Sequence, residues 1–209
     1  MGRGLDRKCE VAYQEASPAT HAQEEGDSAC DHGRVSITRL IASDDVSALT
    51  ALLRVNREFL APWDPARSED FFTTDGQQAV IRDDLRLYAR GSKLPHVIVD
   101  DDGQVTGRIT LNGIVRGAFQ SCALSYWVDA SRNGRGLATR AVREIVQVAF
   151  EDLGLHRVQA ETLLHNVRSR RVLERNGFRQ FGVAPEYLNI AGRWQDHAMY
   201  QVVKAPQAG

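Results

Sequence analysis

Cysteine is scarce in this 209-residue chain, and long apolar runs are absent from it. The three cysteines, Cys9, Cys30 and Cys122, are odd in number and widely spaced, which fits neither a disulfide framework nor a paired-cysteine metal site. No hydrophobic segment approaches the roughly 18 residues typical of a membrane-spanning helix, and the N-terminal residues lack the apolar core of a secretion signal. We therefore expect a cytoplasmic protein with no membrane anchor and no bound metal.

The sequence also lacks a large excess of charge of either sign. It contains 26 Lys and Arg against 27 Asp and Glu, a formal net charge of -1. Such a balance gives no overall field that attracts nucleic acid or an anionic membrane. Any site for an anion must therefore be built locally, from a few side chains or backbone groups.

Large apolar side chains are few in residues 1–33, which are rich in Glu, Asp, Ala, Ser and Gly. A segment of this composition buries too little apolar surface to offset the entropy lost on ordering. The pattern changes at Arg34, where strand-like alternation begins. We expect a flexible extension over residues 1–33 and one folded domain over residues 34–205.

Apolar periodicity and turn residues predict the order of elements in that domain. A strand at 34–40 and a helix from Ser43 to about residue 57 come first, and a second helix covers about 75–90. Tight turns separate three strands between 94 and 129, which indicates an antiparallel meander. The remaining elements are an amphipathic helix from 137 to about 153, a strand at 156–162, a short helix at 167–176, and strands near 178–183 and 195–203.

Two glycines, Gly134 and Gly136, stand directly ahead of the amphipathic helix and behind a strand. A tight turn at the start of a helix leaves backbone N–H groups unpaired, with the positive end of the helix dipole behind them. Glycine lets such a backbone approach a ligand closely, and Arg132, Arg135 and Arg140 add positive charge. This arrangement predicts a phosphate site.

Two common phosphate motifs do not match this stretch. Residues 134–139 lack the third Gly or Ala of a dinucleotide fingerprint, and the sequence has no Gly-Lys-Ser/Thr for a P-loop. Both motifs also follow strands of parallel sheets, whereas this strand belongs to a predicted antiparallel meander. A different phosphate ligand is needed.

The segment from Asn133 to Ala138 resembles the pyrophosphate loop, Gln/Arg-x-x-Gly-x-Gly/Ala, of the GNAT superfamily of acetyl-CoA-dependent N-acetyltransferases, with Asn in place of the first Gln or Arg. "HNVRSRRVLERNGF" (165–178) resembles the superfamily's Asn-x-x-Ser helix that ends in Asn-Gly-Phe. "NREFLAPWDP" (56–65) and "YLNIAGRWQDH" (187–197) resemble its RimJ/RimL branch, which acetylates protein N-termini, and RimJ more closely. The resemblance covers about residues 34–204.

This resemblance implies an α/β (α+β) fold with a mixed, mostly antiparallel sheet of about seven strands, splayed between two parallel central strands and flanked by helices. It implies acetyl-CoA as donor, with Asn166 on the pantetheine arm and Ser169 as the proton donor to the departing thiolate. A backbone N–H near Trp127 or Val128 would stabilise the oxyanion. The pyrophosphate would be held by Asn133, Gly134, Arg135, Gly136, Leu137, Ala138 and Thr139.

Two glutamates are candidate general bases. Glu161 matches the position of the catalytic glutamate in the related RimI enzymes, whereas Glu186 falls where RimJ relatives carry an acidic residue near the acceptor entrance. The RimI tyrosine acid is replaced here by Leu173, so Ser169 or water must serve. Besides Glu186, the expected substrate-binding residues are Trp63, Tyr187 and Trp194, while His197 is expected to be structural.

The expected reaction is direct transfer of acetyl, in a ternary complex, to the N-terminal α-amine of a protein or peptide. An α-amine with a pKa of about 7.8 is partly neutral at pH 7, whereas lysine, at about 10.4, needs roughly 3.5 kcal/mol more for deprotonation. A weakly assisted site therefore favours N-termini. Two alternatives stay open: acetylation of a small-molecule amine or antibiotic, and a non-catalytic acyl-CoA-binding sensor. We expect a monomer or homodimer.

Overall fold

Seven strands and five α-helices, with short 3-10 turns, make up residues 36–206, the part of the chain that the computed structural model describes. The strands are β1 Thr38–Leu40, β2 Leu94–Val99, β3 Val105–Val115, β4 Ser121–Val128, β5 Arg157–Leu163, β6 Arg179–Ile190 and β7 Arg193–Val203. The helices are α1 Val46–Val55, α2 Arg57–Leu60, α3 Thr74–Ala89, α4 Leu137–Glu151 and α5 Val167–Arg175. No helix within residues 36–206 has both the length and the apolar composition needed to cross a membrane.

The strands form one sheet in the order β1-β2-β3-β4-β5-β7-β6, and every neighbouring pair is antiparallel except β4 and β5. The parallel pairing is short, running only from Ser121 opposite Arg157 to Ala123 opposite Gln159. Beyond this pairing the two strands diverge, because residues 124–128 of β4 do not pair with residues 160–163 of β5. The predicted splayed, mixed sheet is confirmed.

Helix α4 covers one face of the sheet because its apolar residues recur at helical spacing. Ala141, Val142 and Ile145 are fully buried in the main core, against sheet residues such as Ile109 and Leu111. This packing fixes the N-terminus of α4 beside the point where β4 and β5 part. The sequence prediction for this helix is confirmed.

Helices α1 and α3 cover the opposite face. Leu49 from α1 and Ile81 from α3 pack with Ile41 and Val97 in a second core cluster, against which Trp127 is partly buried. The sheet therefore has one face that carries α4 and another that carries α1, α3 and the loop between them.

Three boundaries differ from the sequence predictions. The hairpin of β6 and β7 is longer than predicted, because β6 is mostly exposed and carries two register shifts that hide its alternation. The first predicted helix begins as a 3-10 turn and is interrupted at Asn56, which separates α1 from α2. Strand β1 covers only Thr38–Leu40, and the predicted extension at 1–33 lies outside the described residues.

Candidate functional site

A cavity of about 990 Å³ follows the gap between β4 and β5. At one end it reaches the start of α4, and at the other it reaches residues 59–71, which run from the end of α2 into the link to α3. The residues that line it include Trp63, Asp64, Arg67, Asp84, Lys93, Arg108, Tyr126, Trp127, Val128, Asn133, Ala138, Glu161, His165, Asn166, Ser169 and His197. One continuous space thus connects the glycine turn with an aromatic-lined entrance on the other side of the sheet.

The glycine turn presents a row of backbone donors. Gly134 and Gly136 have φ values of 79° and 78°, a left-handed conformation that glycine adopts without strain. The first hydrogen bond of α4 runs from Arg140 N–H to the Gly136 carbonyl at 3.0 Å. Within residues 36–206, the N–H groups of 134–139 donate to no protein acceptor. Six free donors at the positive end of a helix dipole make a site for an anion.

Two arginines brace this turn against the loop that joins β2 and β3. Arg132 lies 3.2 Å from an Asp100 carboxylate oxygen, and Arg140 lies 3.5 Å from one of Asp101. Arg135 is exposed and has no carboxylate within ion-pair distance among the described residues. Its guanidinium is therefore available to a bound phosphate, whereas those of Arg132 and Arg140, which were predicted to add charge in the same way, are paired with carboxylates.

Trp127 and Val128 occupy the end of β4, beyond its last pair with β5. Alternate N–H groups of a strand point to opposite neighbours, so the unpaired edge of β4 offers backbone donors to the cleft. Both residues line the cavity. Their position fits the predicted oxyanion donor.

Ser169 lies inside the cavity, in the first turn of α5, and contacts a second hydroxyl. Asn166 caps this helix by accepting a hydrogen bond from Ser169 N–H at 3.1 Å. The Ser169 Oγ lies 2.9 Å from the Tyr126 hydroxyl, which also donates to the Ser169 carbonyl at 3.3 Å. Burial raises the pKa of Tyr126 to about 12, so this hydroxyl stays protonated.

Glu161 is half-buried on β5 and also lines the cavity. Burial raises the pKa of its carboxyl, and no Lys, Arg or His among residues 36–206 pairs with it. The pKa of Tyr187 is raised by its own burial and by the nearby Glu161 charge. A carboxylate that faces a cavity without a cationic partner, and with a raised pKa, is suited to accept a proton.

Glu186 and Trp194 lie elsewhere. Glu186 sits in the second bulge of β6 with a φ of 46°, and its N–H donates to Asp196 Oδ1 at 2.9 Å while its side chain is exposed. Trp194 is 62% exposed, and neither residue lines the cavity. Of the two candidate bases, the geometry favours Glu161.

Trp63 is the predicted substrate-binding aromatic that does line the cavity, where its ring centroid lies 5.6 Å from that of His165. Tyr187 instead packs on His197, with ring centroids 5.3 Å apart. His197 is buried, and its Nδ1 lies 2.9 Å from the Gln195 carbonyl oxygen. These contacts agree with the structural role predicted for His197.

The family model described as "Acetyltransferase (GNAT) domain" matches residues 34–179. The chain belongs to the GNAT family. It is 32% identical, over 78% of its length and 84% of the relative's, to the [ribosomal protein uS5]-alanine N-acetyltransferase of Escherichia coli. Among solved structures, the ribosomal-protein-S5-alanine acetyltransferase of Vibrio fischeri matches with a TM-score of 0.78 and 30% identity, covering 82% of this chain and 95% of that one.

A second GNAT structure, RimJ of Mycobacterium smegmatis in complex with CoA-disulfide, matches with a TM-score of 0.77 and 30% identity, covering 79% of this chain and 80% of that one. The protein is an N-acetyltransferase of RimJ/RimL type, and acetyl-CoA is its donor. The residues present fit this donor. The free N–H groups of 134–139 would hold the diphosphate, because a left-handed glycine turn and open space leave them accessible.

One residue of the site, Tyr126, was not predicted from the sequence. The alternation of "LSYWV" places it on the same face of β4 as the buried Leu124 and Val128, which is the pattern of a core residue. Its hydroxyl reaches Ser169 only because β5 diverges and α5 closes the gap. The apolar pattern gave no signal for this contact.

Proposed function

We propose that this enzyme transfers an acetyl group directly, within a ternary complex, to the α-amine at the N-terminus of a protein or peptide. The observation that carries the proposal is the single cavity joining the glycine turn to an aromatic entrance, with Glu161 and Ser169 along it. The names of the relatives from Escherichia coli and Vibrio fischeri, which describe alanine acetylation on a ribosomal protein, support a protein acceptor.

The reaction removes one proton from the amine and adds one to the thiolate, and the site offers a residue for each transfer. Glu161 accepts a proton from the incoming ammonium, directly or through a water, and its raised pKa brings it nearer to the pKa of the amine. Ser169, hydrogen-bonded to Tyr126, supplies a proton to the departing thiolate. N–H groups at Trp127 or Val128 stabilise the developing oxyanion. When bound, acetyl-CoA supplies the thioester that the neutral amine attacks.

The charges of the cavity favour an acceptor with one ammonium group. Asp64 is paired with Arg67, and Asp84 is paired with Lys93 and Arg108, so these carboxylates are already neutralised. Glu161 is the remaining carboxylate among the lining residues. A polyamine or an aminoglycoside would bring several positive charges to a site that offers one free negative charge.

The test compares acceptors of different kinds. Peptides beginning with Ser or Ala should be acetylated, whereas the same peptides blocked at the N-terminus but containing lysine should react at least tenfold more slowly, as should spermidine. Mass spectrometry locates the acetyl group. Equal rates on blocked and free peptides would refute N-terminal transfer. Binding of acetyl-CoA without turnover on any amine would favour the sensor alternative.

The hydroxyl pair gives a prediction of its own. Ser169→Ala and Tyr126→Phe should each lower kcat by about tenfold or more, because general acid assistance to a thiolate is useful but not obligatory. The double variant should lose little more than the worse single variant, because both side chains act on one proton. Release of the CoA thiol measures kcat.

Tyr88→Phe, at an exposed position of α3, is the matched control and should keep full activity. Additive losses in the double variant would show that Tyr126 and Ser169 act independently, and would contradict the shared role.

A further inference from the structure

A charged cluster formed by Asp84, Lys93 and Arg108 lies on the cavity wall, and the chemistry above makes no use of it. Lys93 Nζ donates to Asp84 Oδ1 at 2.5 Å, and Arg108 Nη2 donates to Asp84 Oδ2. The Asp84 side chain is only 4% exposed, whereas those of Lys93 and Arg108 are 20% and 16% exposed. The carboxylate is therefore sealed, while both cations keep an accessible part.

The cluster carries a net positive charge. Both carboxylate oxygens of Asp84 are occupied, one by each cation. Among residues 36–206, neither Lys93 nor Arg108 has another side-chain or carbonyl acceptor, so most of their N–H groups are left for solvent or a ligand. A partly buried cation with spare donors, lining a cavity, is suited to bind an anion.

The cluster lies on the acceptor side of the sheet. Arg108 stands opposite Trp127 in the register of β3 and β4, and its side chain belongs to the face that carries α3, not α4. On the same face, Asn112 Nδ2 donates to Ser125 Oγ at 2.9 Å. The glycine turn, by contrast, leads into α4, which packs on the other face. The positive charge therefore meets the acceptor and is remote from the diphosphate site.

Distances across the sheet indicate where an anionic group of the acceptor would fall. If β4 and β5 stayed paired, two strand spacings and two residues along the strand would separate the backbones of Glu161 and Arg108 by about 12 Å. Because the two strands diverge here, the separation is larger than that. The long Arg108 and Lys93 side chains shorten the gap. An extended peptide advances about 3.5 Å per residue, so a carboxylate on its second or third residue would reach them when its amine lies at Glu161.

We propose that Lys93 and Arg108 form a subsite for a carboxylate of the acceptor, within about three residues of the amine that is acetylated. The inference rests on the proposed function and adds a substrate preference to it. The carboxylate has two possible sources, an Asp or Glu side chain near a protein N-terminus, or the terminal carboxylate of a dipeptide. Both have the same chemistry, and the test separates them.

The test measures the dissociation constants of acceptor peptides by calorimetry, with the enzyme saturated with CoA so that no reaction occurs. Two amidated peptides differ only at the second residue, Ala-Asp against Ala-Asn, and the dipeptide Ala-Asn with a free carboxylate is the third ligand. The Asp peptide should bind about tenfold more tightly than the Asn peptide. A similar gain for the dipeptide alone would assign the subsite to a terminal carboxylate.

Lys93→Met removes one cation, keeps the apolar stem and leaves Asp84 paired with Arg108. It should abolish most of the tenfold preference, whereas Arg82→Met, an exposed position of α3 outside the cavity, should retain it. Equal dissociation constants for the Asp peptide, the Asn peptide and the dipeptide with the unaltered enzyme would overturn the inference, whether or not the variant folds. Acetylation of blocked peptides would instead overturn the proposed function. The preference for the Asp peptide is measured by binding alone, so it does not depend on that result.

Discussion

Replacement of Gly136 by tryptophan is expected to raise the dissociation constant of acetyl-CoA by at least about a hundredfold, or about 2.7 kcal/mol. Gly136 caps α4 with a φ of 78°, where a side chain is strained, and nothing lies within 4 Å of its Cβ position. The Cβ therefore has room at this exposed position, and we expect the indole to cover the N–H groups that bind the diphosphate. Calorimetry with CoA measures the change.

Gly91→Trp is the matched control, because Gly91 also has a positive φ of 68° and open space, but lies after α3 and outside the cavity. It should leave the dissociation constant of CoA unchanged even where it lowers stability. An unaltered affinity in the Gly136→Trp variant would contradict the assignment of the turn.

Substitution of Glu161 by glutamine is expected to lower kcat/KM by about a hundredfold near pH 7. The loss should shrink above pH 8, because an α-amine with a pKa of about 7.8 is then neutral without help. It should also shrink in acid, once the pH falls below the raised pKa of Glu161 and the base of the unaltered enzyme becomes protonated. Rates measured from pH 5.5 to 9 test this profile. Glu151→Gln, at an exposed position of α4, is the control.

Stability separates this catalytic role from a structural one. Burial raises the folded-state pKa of Glu161, so its ionised form is disfavoured in the folded protein. The resulting loss in the free energy of unfolding is absent below the ordinary carboxyl pKa and reaches its full value above the folded-state pKa. The Glu161→Gln variant should therefore have a Tm equal to or above that of the unaltered protein at pH 8, with the gap closing in acid. A lower Tm together with a flat rate profile would assign Glu161 to the structure instead.

The sequence predicted best those features that depend on residues adjacent in the chain. The free N–H groups of 134–139 follow from local chemistry, since two glycines precede an apolar-periodic run. The meander and α4 were predicted in the same way. Both strands of the β6 and β7 hairpin were predicted, but not their full length, because β6 is mostly exposed and register shifts interrupt its alternation.

Features that depend on distant residues could not be predicted. The contact between Tyr126 and Ser169 joins residues 43 positions apart. The Asp84, Lys93 and Arg108 cluster joins α3 to the residue before β2 and to β3. Each of these residues has an ordinary local pattern. The opposite error occurred at Glu186, which was predicted from the sequence as a site residue but does not line the cavity.

We propose that the free N–H groups of 134–139 bind the diphosphate of the donor. Amide NMR of the 15N-labelled protein during titration with CoA, and separately with pantetheine, which lacks the diphosphate, tests it most directly. We expect large downfield shifts of the Gly134 and Gly136 amide protons with CoA and small changes with pantetheine. Tight binding of CoA that leaves these amide signals unmoved would contradict it.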